Sequence, residues 1–204
     1  MLGLPKSTEM SKQLPKKAIY AKFQMNTAAK DKIDAEISRI TIVNEITADK
    51  VNIPAGENVQ SFFVLLVTLK RMNFDDKNIA MLPKLIPQNI LFILEYEDSC
   101  KLAIYHTKLM QTQWRPADQY SIELKGIDLD KVWENIVAQI GGITIVDNNT
   151  LDEQIQLDES RQKLEKEIAK LEKLARSEKQ PRKKFELVQR IKQLRRDNDN
   201  AEIR

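Results

Sequence analysis

The sequence contains very little of the residue types on which several kinds of functional site depend. Its 204 residues include one cysteine, one histidine and five glycines. A single cysteine excludes a disulfide framework, and one cysteine with one histidine is too few for a transition-metal site. Five scattered glycines cannot form a glycine-rich loop around a phosphate. The composition therefore predicts no metal and no other cofactor.

Long apolar segments are missing too. No apolar run approaches the ~18 residues of a membrane-spanning helix, and the first residues lack the continuous apolar stretch of a signal peptide. The lone cysteine, Cys100, fits a reducing compartment, and its place after a polar turn predicts partial exposure. We therefore expect a cytoplasmic protein without a membrane partner.

What the sequence does contain changes character near residue 150. Every glycine lies at or before Gly142, and the later residues are mostly Glu, Lys, Arg, Gln and Leu. One aromatic residue, Phe185, and one proline, Pro181, lie in this later part. The pattern predicts an N-terminal basic arm over 1–25, an α+β globular domain over 26–146 and a charged helical extension over 150–200.

Residues 26–146 alternate short apolar runs with turns, as in a mixed β-sheet packed by helices. The clearest helix begins after Asp128 and ends at Gly141-Gly142, because its apolar residues recur with helical spacing. A shorter helix is expected from Asp75 or Asp76. The predicted strands cover residues 40–46, 62–69, 90–96, 101–107 and 120–124.

The extension carries a helix-start signal and an apolar seam. Thr150 and Glu153 have the spacing of a capping box, and Pro181 separates two helical stretches. The seam is too short for a strong free-standing coiled coil, so we expect a helical hairpin or a partner helix. Its residues are Leu157, Leu164, Ile168 and Leu171 before Pro181, and Leu187, Ile191 and Leu194 after it.

Positive charge is concentrated in the same extension. The segment from Arg176 to Arg196 contains nine bases and two glutamates, which gives it a local net charge of +7. Clustered bases are what nucleic-acid or acidic-protein binding requires, although a charge run also serves simply as a solvated helix face. The cluster comprises Arg176, Lys179, Arg182, Lys183, Lys184, Arg190, Lys192, Arg195 and Arg196.

The N-terminal arm forms a second basic stretch. Its repeated Leu-Pro-Lys phrase, at Leu4 and Leu14, predicts an ordered extended arm without helix, since proline disfavours helix in the residue before it. Tyr20 and Phe23 favour an arm that packs on the domain. Contact with phosphates is the alternative.

A metal-dependent nuclease centre is the enzymatic alternative. Such a centre needs an acid on one strand and a Glu-x-Lys on the next, to hold a divalent cation. Here Thr68 occupies the place of the acid, and no suitably spaced lysine follows Glu95 or Glu97. A diverged nuclease using Glu45, Glu95 or Glu97 remains as a hypothesis, and the sequence predicts no catalytic residue with an established pattern.

Several stretches carry a family resemblance. They are 4–8, 14–16, 37–44, 54–57, 85–97, 105–107 and 129–137. In this order they resemble the bacterial family catalogued as domain of unknown function 4391, over about residues 2–200. The resemblance implies no mapped catalytic residue. It also implies gene neighbours such as helicases, adenine-specific DNA methyltransferases and type III restriction-like proteins.

These observations favour a non-catalytic accessory or adaptor protein in bacterial DNA modification or phage defence. Its partner would be a protein, with a helicase or methyltransferase suggested by the resemblance, and nucleic acid is a further candidate ligand of the basic extension. A structural oligomer joined through the heptad seam is a third hypothesis.

Overall fold

The structure, a computed structural model, describes residues 2–146 and 149–202, apart from the side chains of Leu85 and residues 197–202. The chain divides into one compact unit that extends to Ile143 and a second that begins at Thr144.

A mixed β-sheet forms the centre of the first unit. Its strands are β1 (Glu9–Gln13), β2 (Ile37–Thr47), β3 (Ser61–Leu69), β4 (Asn89–Tyr96), β5 (Ser99–Tyr105), β6 (Leu109–Gln111) and β7 (Arg115–Pro116). The first six are adjacent in chain order, and β7 pairs with β5. Only β3 and β4 are parallel among the strands described. The sheet confirms the predicted α+β class.

Five α-helices accompany the sheet in the first unit. They are α1 (Lys16–Lys22), α2 (Thr27–Glu36), α3 (Ala48–Val51), α4 (Asp76–Ala80) and α5 (Leu129–Gly141). The α5 prediction is confirmed in detail. The Asp128 side chain accepts from the Lys131 N–H at 2.9 Å, and Gly142 ends the helix with a φ of 63°. All six apolar residues of its stripe are buried.

The two faces of the sheet are covered by different helices. One face packs against Ile19 of α1, Ile33 of α2 and Ile79 of α4. On the other face the ring of Phe62 meets Trp133 of α5, with centroids 5.2 Å apart. Side chains of alternate residues in a strand point to opposite faces, so the apolar runs of β3 and β4 fill both cores.

The loop before β3 is tied to α5 by one carboxylate. Asp130 accepts backbone N–H bonds from Glu57 at 2.9 Å and from Val59 at 2.7 Å, and a further one from Asn58. A Cβ on Gly56 would lie 2.2 Å from an Asp130 oxygen. Only glycine therefore permits this approach.

The N-terminal segment contains regular structure that the sequence analysis missed. Lys16–Lys22 is helical, so the prediction of an arm without helix is wrong. Pro15 stands at the N-cap, where proline is tolerated because a first-turn N–H has no helical partner. Ile19 joins the core and Tyr20 and Phe23 pack against it, which confirms the packing arm.

The strand predicted over residues 120–124 is wrong as well. Those residues form no strand, and their backbone contact with the N-terminal segment is a bond from the Ile122 N–H to the Leu2 carbonyl at 3.0 Å. The short strands β6 and β7 pair with β5 instead. An apolar alternation alone does not supply a neighbouring strand with which to pair.

The second unit is a pair of helices, α6 (Leu151–Ser177) and α7 (Pro181–Glu202). The predicted capping box is present, since the Thr150 N–H donates to Glu153 at 2.8 Å and the Glu153 N–H donates to Thr150 at 3.3 Å. The two helices pack together as a hairpin. Across the ranges that the structure covers, we find no helix with the length and apolarity needed to cross a membrane.

Candidate functional site

The hairpin packs its apolar seam unevenly. Ile191 and Leu194 of α7 are buried. Leu164, Ile168, Leu171 and Leu187 are half-buried. Leu157, the first residue of the predicted seam, is 48% exposed. The tightest packing described between the helices therefore lies around the middle of α7, where Arg195 also pairs with Glu172 at 2.5 Å.

The basic cluster extends from the end of α6 through the loop and along α7 to Arg196, and it faces solvent. All nine of its residues are exposed: Arg176, Lys179, Arg182, Lys183, Lys184, Arg190, Lys192, Arg195 and Arg196. Two of them belong to ion pairs, Arg182 with Glu186 at 3.4 Å and Arg195 with Glu172. Exposed pairs of this kind offset little of the surrounding potential. The loop and the described part of α7 therefore present strong positive charge to solvent.

A groove runs between the two helices beside the loop that joins them. Its volume is about 530 Å³. Leu174 and Ser177 of α6 form one wall, and Lys183, Leu187 and Arg190 form the other. Leu174 is 47% exposed although it is a large apolar residue. The groove, hereafter the hairpin groove, thus combines two leucines, its apolar floor, with two bases and two acids, Glu178 and Glu186, at its edges.

A second candidate site lies in the first unit and was missed by the sequence analysis. The ammonium group of Lys101 on β5 lies 4.7 Å from the ring centroid of Phe74 and 5.2 Å from that of Trp114. These residues line an open cleft of about 600 Å³ with Met72 and Asp76. Burial lowers the pKa of Lys101, and the Asp76 carboxylate opposes this shift.

The loop beside this cleft is held by a buried carboxylate. Glu36, 4% exposed at the end of α2, accepts hydrogen bonds from the Arg71 guanidinium, from Asn78 Nδ2 at 2.6 Å and from the Asp75 N–H at 3.1 Å. Burial alone would raise the pKa of Glu36. The bonds from Asn78, Asp75 and Arg71 outweigh burial and hold that pKa below its ordinary value. The cleft therefore has one fixed wall.

Replacing Trp114 with alanine is expected to raise the pKa of Lys101 toward the ordinary lysine value. The indole covers the ammonium group, so its removal admits water and favours the charged form. The measurement is an NMR titration of the reductively ¹³C-methylated amine. Trp114→Phe, which keeps a ring, is the control, and an unchanged Lys101 titration in Trp114→Ala would contradict this account.

The carboxylates considered for a nuclease centre lie on β2, on β4 and in the turn after β4. Glu95 of β4 accepts a bond from Thr68 of β3 at 3.2 Å, and Glu45 pairs with Lys50 at 2.6 Å. Glu97 lies in the β4–β5 turn, with a φ of 52°. Among the residues that the structure describes, no group of three or more His, Cys, Asp or Glu side chains is placed to hold a metal ion.

Cys100 is not partly exposed, so that prediction is wrong. It belongs to β5 and is 1% exposed. Burial, and to a lesser extent the Glu95 carboxylate, raises the pKa of its thiol. A thiol kept protonated and inaccessible is a poor nucleophile.

The model of one protein family, described as a domain of unknown function (DUF4391), matches residues 2–197. The chain belongs to this family, which confirms the resemblance found in its sequence. No curated protein and no solved structure matches the chain.

Proposed function

We propose that this member of the DUF4391 family is a non-catalytic accessory protein whose C-terminal hairpin binds an anionic surface of a protein partner. The observation that carries the proposal is the basic cluster, in which all nine Lys and Arg side chains are exposed on one packed hairpin. A role in bacterial DNA modification or phage defence, with a helicase or methyltransferase as partner, belongs to the same proposal. So does a cytoplasmic location, which a single buried thiol supports.

The positive charge of the hairpin suits it to binding an anionic protein surface. Charges of one sign on a narrow element create a potential that attracts an opposite surface over about a Debye length, ~8–10 Å in physiological salt. Such complementarity raises the association rate and selects against basic partners. Because the segment from Arg176 to Arg196 contains just two glutamates, little of the charge of the basic cluster is neutralised within it.

Nucleic acid is the second ligand class that this surface suits. Lysine and arginine bind phosphates by releasing condensed counterions, so the affinity falls steeply with salt. Phe185 is 63% exposed on α7 among these bases. One ring does not form a stacking platform for single strands, so any such binding would depend on the phosphate backbone.

Removing three lysines from the hairpin is expected to weaken binding to polyanions. The variant Lys179→Gln, Lys184→Gln, Lys192→Gln should leave a heparin column at lower salt than the unaltered protein. Its binding to a 20-base-pair duplex should show a salt slope smaller by roughly 2–3, since each lost phosphate contact removes about 0.9.

The matched control removes three exposed lysines from the N-terminal segment, in the variant Lys6→Gln, Lys12→Gln, Lys17→Gln. It should elute close to the unaltered protein. If both triple variants elute alike, or if the unaltered protein is not retained, the hairpin is not the anion-binding surface and the proposal fails.

A further inference from the structure

We infer that the hairpin groove receives an acidic amphipathic helix of the partner protein. The inference rests on the proposed function and specifies the chemistry of that partner.

The packing of the hairpin is incomplete on the groove side. Two helices in contact bury the residues between them, as Ile191 and Leu194 are buried. They leave an open furrow on each flank, and here the furrow holds Leu174, 47% exposed, and the half-buried Leu187. A third helix laid in such a furrow would cover both leucines, as in a helical bundle.

Charge follows a regular spacing around this apolar floor. Lys183, Leu187 and Arg190 stand at positions i, i+4 and i+7 of α7, so they share one side of the helix. The leucine is thus flanked by a base on each side along the axis. A partner helix with a leucine stripe bordered by Glu or Asp would match this pattern.

The two acidic residues of the groove are engaged within the hairpin. Glu186 pairs with Arg182 at 3.4 Å, and Glu178 accepts from the Gln180 N–H at 2.8 Å. The pair with Arg182 offsets part of the charge of Glu186, whereas the hydrogen bond to Glu178 leaves its charge in place. The positive charge beside the groove comes from Lys183 and Arg190 and from the neighbouring Lys179 and Lys184.

Two other occupants fit this surface less well. A charged phosphate backbone gains no hydrophobic free energy by covering leucine side chains. Bound nucleic acid would therefore leave the apolar floor of the groove without a matching surface. A second copy of this chain would bring the same segment of net charge +7 against the first, and like charges repel. The apolar side of an acidic helix would cover Leu174 and Leu187, and its carboxylates would pair with Lys183 and Arg190.

The test uses the full-length protein and a synthetic 18-residue peptide of Leu, Ala and Glu. Its leucines recur at i, i+3, i+4 and i+7, and a scrambled peptide of equal composition is the first control. Titration calorimetry should detect the helical peptide but not the scrambled one. The double variant Lys183→Gln, Arg190→Gln should bind more weakly and with less salt dependence.

A pair of leucine variants locates the binding surface. Leu174→Gln should weaken peptide binding by at least about tenfold, as loss of an interface hot spot does. Leu157→Gln should bind normally, although Leu157 is an equally exposed leucine of the same helix, at 48% against 47%. Both changes lie at exposed positions, and circular dichroism checks that each variant retains its helices.

Equal binding of the two peptides, equal effects of the two leucine variants, or no binding overturns the inference. The proposed function survives that result if the lysine-triple variant of the hairpin still loses its heparin retention. Duplex DNA binding that depends on Leu174 would assign the groove to nucleic acid. Self-association in sedimentation that Leu174→Gln abolishes would assign it to a second copy.

Discussion

Replacing Glu36 with alanine is expected to lower the free energy of unfolding by about 2–4 kcal/mol, because it removes one carboxylate that three donors share. The Asp75 N–H and the Asn78 amide would lose their acceptor next to the core, and Arg71 would lose its anion. Urea unfolding followed by tryptophan fluorescence measures the change.

A surface carboxylate provides the control for this prediction. Glu45 pairs with Lys50 at a partly exposed site, so Glu45→Ala should cost only about 0–1 kcal/mol. Similar losses for Glu36→Ala and Glu45→Ala would show that the buried hydrogen bonds of Glu36 do not stabilise the first unit as argued.

The pH dependence follows from the lowered pKa of Glu36. A carboxyl group whose pKa is lower in the folded protein stabilises it above the unfolded pKa, near 4.5, and loses that contribution as the pH falls through the folded value. The stability difference between the unaltered protein and Glu36→Gln should therefore narrow below pH ~4.5. A constant difference would contradict the shift.

Replacing Ile191 with aspartate is expected to separate the two helices of the hairpin. The buried part of the seam has few large residues, and burying an unpaired charge there costs about 3 kcal/mol or more, which is a large share of what so short an interface contributes. Far-UV circular dichroism should show less helix. Trypsin should cut faster at the bases between Arg176 and Arg196.

The matched control is the same kind of change on the outer side of the same helix. Phe185 is 63% exposed, so Phe185→Asp should leave the helix content and the tryptic pattern close to those of the unaltered protein. If Ile191→Asp and Phe185→Asp behave alike, the seam does not hold the hairpin together. The hairpin groove would then have no stable walls.

The elements that the sequence predicted well are those whose signals are local. The helix α5 has its cap, its apolar stripe and its terminating glycine within residues 128–142. The start of α6 is set by Thr150 and Glu153, three residues apart. The apolar runs of β3 and β4 also stand out, because strands buried on both faces lack polar alternation. Each signal acts between neighbours in the chain.

The candidate sites also differ in whether local sequence signals could predict them. The basic cluster and the apolar seam were visible from composition and spacing alone. The exposure of Leu174, and hence the hairpin groove, depends on how α6 and α7 lie against each other. The cleft around Lys101 joins Phe74 and Trp114 from two different loops, and no spacing in the sequence relates them.

By itself, then, the sequence determined the α+β class, the caps of α5 and α6 and the charged character of the extension. Tertiary structure alone decided that Glu9 of β1 pairs with Asn44 of β2, that α1 joins the core, and that Glu36 holds a distant loop. The physical reason is range: capping and periodicity act within a few residues, whereas strand pairing and buried hydrogen bonds join residues that only folding brings together.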